Sequence, residues 1–184
     1  MALTYSKENF IGDNAPDFVL PGVDGKNHSL ENILHGKKAA VLMFICNHCP
    51  YVIANYDRLI GMANAYQEKG IAFVGINSND EINYPDDSFD KMVELAKDRN
   101  LPFPYLRDKD QTVAKAYDAA CTPEVYIVNR KQTVIYHGGI DDSWNDESKI
   151  TQAFLRNALD DICADREVAA KTPNAMGCSI KWSV

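Results

Sequence analysis

Residues 39–50, AAVLMFICNHCP, join an unbroken apolar run to two cysteines that lie three positions apart. An apolar run of this length is typical of a strand that is buried on both faces at the centre of a sheet. Two cysteines on one helical turn have Cβ atoms about 5–6 Å apart, which permits a disulfide after small rotations. The stretch therefore predicts a central strand followed by a dithiol, Cys46 and Cys49, that can exchange two electrons.

A helix and a second buried strand are expected after the cysteines. Apolar residues recur at helical spacing from Val52 to Tyr66, and Gly70 ends this pattern. Residues 71–76, IAFVGI, form a further apolar run. Strand, helix and strand in this order make a βαβ unit, in which the residues after the first strand lie at the carboxyl edge of the sheet, where such folds keep their sites.

The sequence before the central strand indicates a small hairpin and a short helix. Residues 14–21 contain two prolines and lead into a glycine-containing turn at 22–26, which predicts an N-terminal β-hairpin. Ser29 is expected to cap a brief helix that reaches Leu34 and that Gly36 ends.

Further helices and a second hairpin are expected after the βαβ unit. The helices have apolar residues at helical spacing and are predicted at 88–99, 111–119 and 150–162. The hairpin is predicted from strands at 124–129 and 132–137. We therefore expect an α/β fold with a mixed central sheet flanked by helices.

No linker, internal repeat or low-complexity tract divides the chain. We expect one domain over residues 1–184, with a tail at 165–184 that packs on it. The tail alternates, with Cys178, Ile180, Trp182 and Val184 on one side, so it needs a packing partner.

The composition argues against several classes of function. With 184 residues and 46% hydrophobic residues, the chain can bury a full core. A net charge of -7 without a basic cluster argues against nucleic-acid partners and anionic membranes. The start of the chain is polar, unlike a signal peptide, and no run approaches the roughly 20 apolar residues of a membrane helix. Five cysteines, an odd number, suit a reduced protein better than a secreted disulfide scaffold. We therefore expect a cytoplasmic protein, and its oligomeric state is not predicted.

Three stretches carry a resemblance to a known family. They are NAPDF at 14–18, FICNHCPYV at 44–52 and Thr122-Pro123 before a predicted strand. With these features the sequence resembles, over nearly its whole length, the thioredoxin-like superfamily. The resemblance is to its AhpC/TSA-related, peroxiredoxin-like branch of thiol-disulfide oxidoreductases. The tail GCSIKW at 177–182 is similar to that of an uncharacterised subgroup of this branch.

The resemblance implies a thioredoxin-like fold and a specific chemistry. It implies thiol-disulfide exchange through Cys46 and Cys49, and a cis bond between Thr122 and Pro123 that faces the two cysteines. The expected partners are protein or small-molecule disulfide and thiol substrates and a reducing partner. No cofactor is expected.

The sequence leaves open which cysteine attacks first. In thioredoxins the first cysteine, here Cys46, is the exposed nucleophile, and the second one, here Cys49, releases the mixed disulfide. In peroxiredoxins a proline follows the reactive cysteine, as Pro50 follows Cys49. Pro50 fits best as the first helical residue, which would leave Cys46 in the preceding loop and favour Cys49 as the thiol with the lower pKa.

A thiol peroxidase with antioxidant activity is the alternative within this resemblance. Cys46 stands where peroxiredoxins carry a hydroxyl residue, and Leu42 stands where they carry a proline. Thr122-Pro123 takes the region of their supporting arginine. Activation of peroxide needs donors that polarise the O–O bond, so these departures favour dithiol exchange.

Three other residues are candidates for redox roles. A protonated His48 between the cysteines would stabilise a thiolate and make the pair more oxidising. Cys121 and Cys178 are possible third redox cysteines. Burial in the core explains Cys121 equally well, and for Cys178 packing is the favoured interpretation. Relatives carry an acid at the positions of Ala40 or Val52, so no carboxylate is assigned as proton acceptor.

A metal-binding module is the hypothesis from a different class. Cys46, His48 and Cys49, with Cys121 or His137, are soft ligands that suit Zn²⁺ or Cu⁺. A structural site with four ligands usually shows two half-sites in sequence, and here only one is evident. We therefore expect no metal in the dithiol protein.

Overall fold

A mixed β-sheet lies at the centre of the protein, which a computed structural model describes over residues 3–7, 10–168 and 173–183. In chain order the strands are β1 (Leu3–Tyr5), β2 (Val19–Pro21), β3 (Asn27–Ser29), β4 (Ala39–Phe44), β5 (Ile71–Asn77), β6 (Tyr105–Arg107), β7 (Cys121–Thr122), β8 (Glu124–Asn129), β9 (Val134–Gly138) and β10 (Met176–Ser179). The α-helices are α1 (Leu30–Leu34), α2 (Pro50–Ile53), α3 (Tyr56–Gln67), α4 (Phe89–Asp98), α5 (Thr112–Ala116) and α6 (Phe154–Cys163).

The central sheet has the strand order β6-β5-β4-β8-β9. Strand β4 runs parallel to β5 and antiparallel to β8, and it is buried along its whole length. Val41 joins the core formed with α3 and α6 on one face, and Leu42 joins the core formed with α1 and α5 on the other. The predicted α/β fold with a mixed central sheet flanked by helices is confirmed.

Both predicted hairpins are present. Strands β2 and β3 pair antiparallel as the N-terminal hairpin, and Ser29 caps α1 by accepting a hydrogen bond of 3.1 Å from the N–H of Asn32. Strands β8 and β9 form the second hairpin, with an irregularity between Ile127 and Val128.

The single helix predicted after the cysteines is instead divided into α2 and α3. The break lies at Ala54 and Asn55. The amide of Asn55 donates to the carbonyl oxygens of Tyr51, at 2.7 Å, and Trp144, at 3.0 Å. A side-chain amide that binds backbone carbonyls competes with helical hydrogen bonding, which explains why the apolar spacing alone missed this break.

The tail forms β10, which lies between β1 and β7 in a second, three-stranded sheet. Cys178 lies opposite Thr122, and Ser179 lies opposite Cys121. The predicted alternation holds as far as Ile180. Beyond it Lys181 is buried and Trp182 is 40% exposed, contrary to the pattern. Residues 169–172 and 184 of the predicted tail lie outside the described residues.

The described ranges contain no helix with the length and apolar character that crossing a bilayer requires.

Candidate functional site

Cys46 and Cys49 lie between the end of β4 and the start of α2, at the carboxyl edge of the central sheet. Cys49 is the N-cap of α2 and Pro50 is its first residue, because proline has no N–H to lose there and its fixed φ suits the position. The two cysteine residues are almost completely buried, at 1% and 0% exposure. None of the five cysteines forms a disulfide.

Thr122 brings the downstream part of the chain against both sulfur atoms. The bond between Thr122 and Pro123 is cis, as the resemblance implies. The thiol of Cys49 donates to the carbonyl oxygen of Thr122 at 3.2 Å, and the Sγ atom of Cys46 lies 3.5 Å from the Thr122 hydroxyl oxygen. One residue of β7 therefore contacts the two cysteines at once.

A buried carboxylate that the sequence analysis did not assign lies beside Cys46. Asp87 is fully buried and accepts hydrogen bonds from the N–H of Asn47, at 2.7 Å, and from the amide of Asn79, at 2.6 Å. Its carboxylate also lies 2.7 Å from Nδ1 of His48. This contact is an ion pair when the imidazole is protonated.

The opposite charges of His48 and Asp87 stabilise each other. Burial alone would raise the pKa of Asp87, but His48, Asn79 and Asn47 together hold that pKa below its usual value. The contact with Asp87 raises the pKa of His48, although burial opposes this change. The shifts favour an imidazolium and a carboxylate next to the cysteines.

The sequence contained an indirect signal for Asp87. The polar run Asn77-Ser78-Asn79-Asp80 follows a strand that runs parallel to β4. Because the carboxyl ends of adjacent parallel strands meet at one edge, the loop that begins with this run had to pass near Cys46. Asp87 was nevertheless not assigned from the sequence, because it lies ten residues beyond the end of β5.

The two thiols have opposite pKa shifts. A hydrogen bond from Cys46 makes the largest contribution to lowering the pKa of Cys49 to about 5. Burial opposes this change, whereas Cys178 and the side-chain hydroxyl of Thr122 assist it. The same bond, burial and the charge of Asp87 raise the pKa of Cys46. The carbonyl of Thr122 opposes ionisation of Cys49, since it accepts a bond only from the protonated thiol. The balance favours Cys49 as the thiolate, which is the peroxiredoxin-like alternative.

A second buried carboxylate, Glu124, engages Cys121 and His137. It accepts hydrogen bonds from the N–H of Ala120, at 2.8 Å, from the N–H of Cys121, at 3.0 Å, and from the hydroxyl of Tyr126, at 2.8 Å. His137 Nε2 lies 2.7 Å from one of its oxygens, and the Cys121 sulfur lies 3.5 Å from the other. Burial and this charge raise the pKa of Cys121.

The ligand set expected for a soft metal is therefore not assembled as predicted. Cys121 and His137 engage Glu124, whereas Cys46, His48 and Asp87 each place one potential ligand atom within 4.8 Å of the others. These three atom types suit Zn²⁺. Asp87 already accepts two N–H bonds, so metal binding would compete with the contacts that hold its loop.

Tyr84 and Lys181 lie at the outer side of the site. The rings of His48 and Tyr84 are stacked, with their centroids 5.7 Å apart and their planes at 6°. The Nζ atom of Lys181 lies 5.6 Å from the centroid of the Tyr84 ring. The side chain of His48 is 17% exposed, and Asn47, the other residue between the cysteines, is half-buried as well.

Comparison with known proteins agrees with this architecture. The family model described as AhpC/TSA family matches residues 11–137. The chain belongs to the AhpC/TSA family. The thiol-disulfide oxidoreductase ResA of Geobacillus thermodenitrificans is 24% identical over 124 residues, which are 67% of this chain and 66% of that protein. The match thus spans slightly less than two thirds of the length of this relative.

Solved structures share the fold of the AhpC/TSA chain. An uncharacterized conserved protein from Geobacillus kaustophilus is 45% identical, with a TM-score of 0.94 over 100% of this chain and 97% of that one. A hypothetical protein from Sinorhizobium meliloti is 36% identical, with a TM-score of 0.92 over 98% of this chain and 99% of that one. The thioredoxin domain of a Bacteroides vulgatus thiol-disulfide oxidoreductase is 17% identical, with a TM-score of 0.60 over 71% of this chain and 89% of that one. The fold is thioredoxin-like.

Proposed function

We propose that this protein is a thiol-disulfide oxidoreductase that exchanges two electrons through Cys46 and Cys49. The observation that carries the proposal is the contact of both sulfur atoms with Thr122, at 3.2 and 3.5 Å. These contacts hold the sulfurs together at the carboxyl edge of the sheet, where folds of this class keep their sites. The ResA relative, which is named for this activity, supports the same reaction class.

In the proposed reductive reaction, Cys49 is the nucleophile. Its thiolate attacks one sulfur of a substrate disulfide, forms a mixed disulfide and releases the other substrate sulfur as a thiolate. The sulfur of Cys46 then attacks Cys49, which forms the internal disulfide and releases the second substrate sulfur. The proton of Cys46 passes to the departing thiolate. Two electrons thus move from the dithiol to the substrate, and the opposite direction uses the same steps in reverse.

Protein or small-molecule disulfides and thiols are the proposed substrates, and a separate reductant or oxidant must restore the dithiol. The two sulfurs are almost fully buried, whereas the ring of His48 and its stacking partner Tyr84 reach solvent. We therefore place the approach of the substrate at the face formed by His48 and Tyr84.

The test is reduction of oxidised glutathione or insulin by the purified, fully reduced protein. Wild type and Cys163→Ser, a control at a half-buried cysteine at the end of α6, are expected to reduce the disulfide. Cys49→Ser is expected to be inactive because it lacks the nucleophile. Activity of Cys49→Ser equal to that of wild type would contradict the proposal.

Two further measurements separate the alternatives. Consumption of hydrogen peroxide is expected to be no faster than with a free thiol. Rapid consumption that depends on Cys49 would instead support the peroxidase alternative, for which the position of Cys49 directly before Pro50 is the favourable observation. Stoichiometric zinc or copper in protein purified without added metal would support a metal-binding module built on Cys46, His48 and Asp87.

A further inference from the structure

We infer that Cys178 is a second resolving cysteine for Cys49, so that a disulfide can pass from Cys46–Cys49 to Cys49–Cys178. This inference rests on the proposed function, since it assumes that Cys49 forms disulfides. It assigns a redox role to the tail strand β10, which lies outside the βαβ unit that carries the CxxC stretch.

The pairing of β10 with β7 places Cys178 on the face of the two cysteines. Cys178 lies directly opposite Thr122 in this antiparallel pair. Directly opposed residues project to the same face, with Cβ atoms about 4.5–5.5 Å apart. The hydroxyl oxygen of Thr122 is 3.5 Å from the sulfur of Cys46, and its carbonyl oxygen is 3.2 Å from the sulfur of Cys49. The side chain of Cys178 therefore points toward the site.

Burial in a shared cluster supports this placement. Cys178 is 3% exposed and belongs to the same buried cluster as Cys46 and Cys49. The neighbouring thiols of Cys49 and Cys178 influence each other, which lowers the pKa of Cys49 and raises that of Cys178. The Cys49 sulfur thus has a thiol neighbour in Cys46 and another in Cys178.

The close approach of the two strands requires Gly177. An added Cβ at this residue would lie 2.0 Å from the carbonyl oxygen of Thr122. Glycine in a strand permits such close contact between backbones. The backbone of β10 is consequently held against the residue that touches both sulfur atoms of the pair.

Cys121 is next to Thr122 in the chain, but the same strand geometry excludes it as a partner for Cys49. It precedes Thr122 in β7, and consecutive strand residues point to opposite faces. Its sulfur lies 3.5 Å from the carboxylate of Glu124. Cys121 therefore points away from the pair and serves as a matched control for Cys178.

The proposed step needs no external oxidant. Starting from the Cys46–Cys49 disulfide, the sulfur of Cys178 loses its proton and attacks the Sγ atom of Cys49. The Cys49–Cys178 bond forms as the Cys46–Cys49 bond breaks, and Cys46 leaves as a thiolate that takes up the proton. When a substrate is attached to Cys49 instead, the same attack releases the substrate thiol.

The experiment uses the Cys46→Ser variant treated with oxidised glutathione, followed by mass-spectrometric mapping of the cysteines. We expect glutathione to be lost from Cys49 as a Cys49–Cys178 disulfide forms. The Cys46→Ser/Cys178→Ser variant should retain glutathione on Cys49, and Cys46→Ser/Cys121→Ser should behave as Cys46→Ser does. Circular dichroism establishes that each variant is folded.

Two results would overturn the inference: retention of glutathione by Cys46→Ser to the same extent as by the Cys46→Ser/Cys178→Ser variant, or pairing of Cys49 with Cys121.

Wild type separates failure of this inference from failure of the proposed function. If wild type forms the Cys46–Cys49 disulfide while Cys46→Ser forms no Cys49–Cys178 bond, only the inference fails. If wild type forms neither a mixed disulfide at Cys49 nor an internal one, the proposed function fails. A variant that does not fold is replaced by mapping of wild type across a series of dithiothreitol ratios, where complete absence of the Cys49–Cys178 bond also overturns the inference.

Discussion

Nδ1 of His48 lies 2.7 Å from a carboxylate oxygen of Asp87, and the residue that carries this oxygen is fully buried. The contact joins the residue between the two cysteines to the loop that follows β5. It raises the pKa of His48, so a positive charge is favoured next to the Cys49 thiolate. A charge that stabilises the thiolate stabilises the reduced pair and makes the disulfide more oxidising.

His48→Ala is therefore expected to lower the reduction potential of the cysteine pair. The decrease is expected to be roughly 30 mV for each unit by which the pKa of Cys49 rises, because one unit corresponds to about 1.4 kcal/mol in a two-electron couple. The potential is measured by equilibration with glutathione. His28→Ala removes a histidine that also contacts an aspartate, at 3.0 Å in the N-terminal hairpin, and should leave the potential unchanged. An equal or higher potential in His48→Ala would contradict this role.

The stabilisation from the His48–Asp87 pair is expected to depend on pH in both directions. The pKa of Asp87 is lowered in the folded protein, so its contribution is present above about pH 4 and is lost as the pH falls through the folded value. The pKa of His48 is raised, so its contribution is complete below about pH 6.5 and is lost as the pH rises through the folded value. The pair thus contributes most between about pH 4 and pH 6.5.

Urea unfolding of wild type and Asp87→Asn across this range tests the expectation. The loss in free energy of unfolding should be greatest in the window. We expect roughly 1.5–3 kcal/mol, since the charged Asp87 also accepts hydrogen bonds from Asn47 and Asn79. Asp24→Asn, which alters the more exposed pair in the hairpin, should cause a smaller loss. A loss that does not change between pH 4 and pH 9 would refute the ionic character of the His48–Asp87 contact.

Thr122→Val is expected to slow the second step of the reaction. The hydroxyl of Thr122 contacts the sulfur of Cys46 and lowers its pKa, which burial and Cys49 otherwise raise. Loss of about 1 kcal/mol from this contact corresponds to roughly a fivefold slower release of the mixed disulfide. Stopped-flow measurement of the two steps with a chromogenic disulfide separates attack by Cys49 from release by Cys46. Thr133→Val in the turn between β8 and β9 is the control, and an equal slowing of both steps would count against the assignment.

Gly177→Ala is expected to disrupt the pairing of β10 with β7. The new methyl group would meet backbone atoms of Thr122 and Pro123 rather than flexible side chains, so the strands must separate. We expect destabilisation by at least about 2 kcal/mol, which is within the range for overpacking in a core. Gly61→Ala in α3 meets no atom within 4 Å and should stabilise by about 0.5–1 kcal/mol. Unfolding midpoints that shift by the same amount and in the same direction for the two variants would contradict the close approach at Gly177.

Much of the central fold could be predicted because its signals are local. The apolar run before Cys46 specifies β4, the run that starts at Ile71 specifies β5, and the spacing between them specifies helical structure. The division between α2 and α3 could not be predicted, since it depends on the contact of Asn55 with Trp144, a residue far along the chain.

From local pattern, the site was predictable only where the chain itself places residues together, and the contact of Thr122 with the cysteines was expected from the family resemblance alone. Cys46, Cys49 and Pro50 are adjacent in sequence, so their relation to β4 and α2 followed from the pattern. Asp87 and Cys178 reach the cysteines through pairing of β4 with β5 and of β7 with β10, which are long-range contacts. No local periodicity encodes such contacts, and strands as short as β7 leave almost no pattern to read.

The measurement that tests the central claim most directly is the reduction potential of wild type, with mass-spectrometric mapping of cysteine pairs at each point of the titration. We expect a reversible two-electron transition in which every internal disulfide contains Cys49, while Cys121 and Cys163 remain thiols throughout. Absence of a reversible two-electron transition, or an internal disulfide that forms without Cys49, would contradict the account.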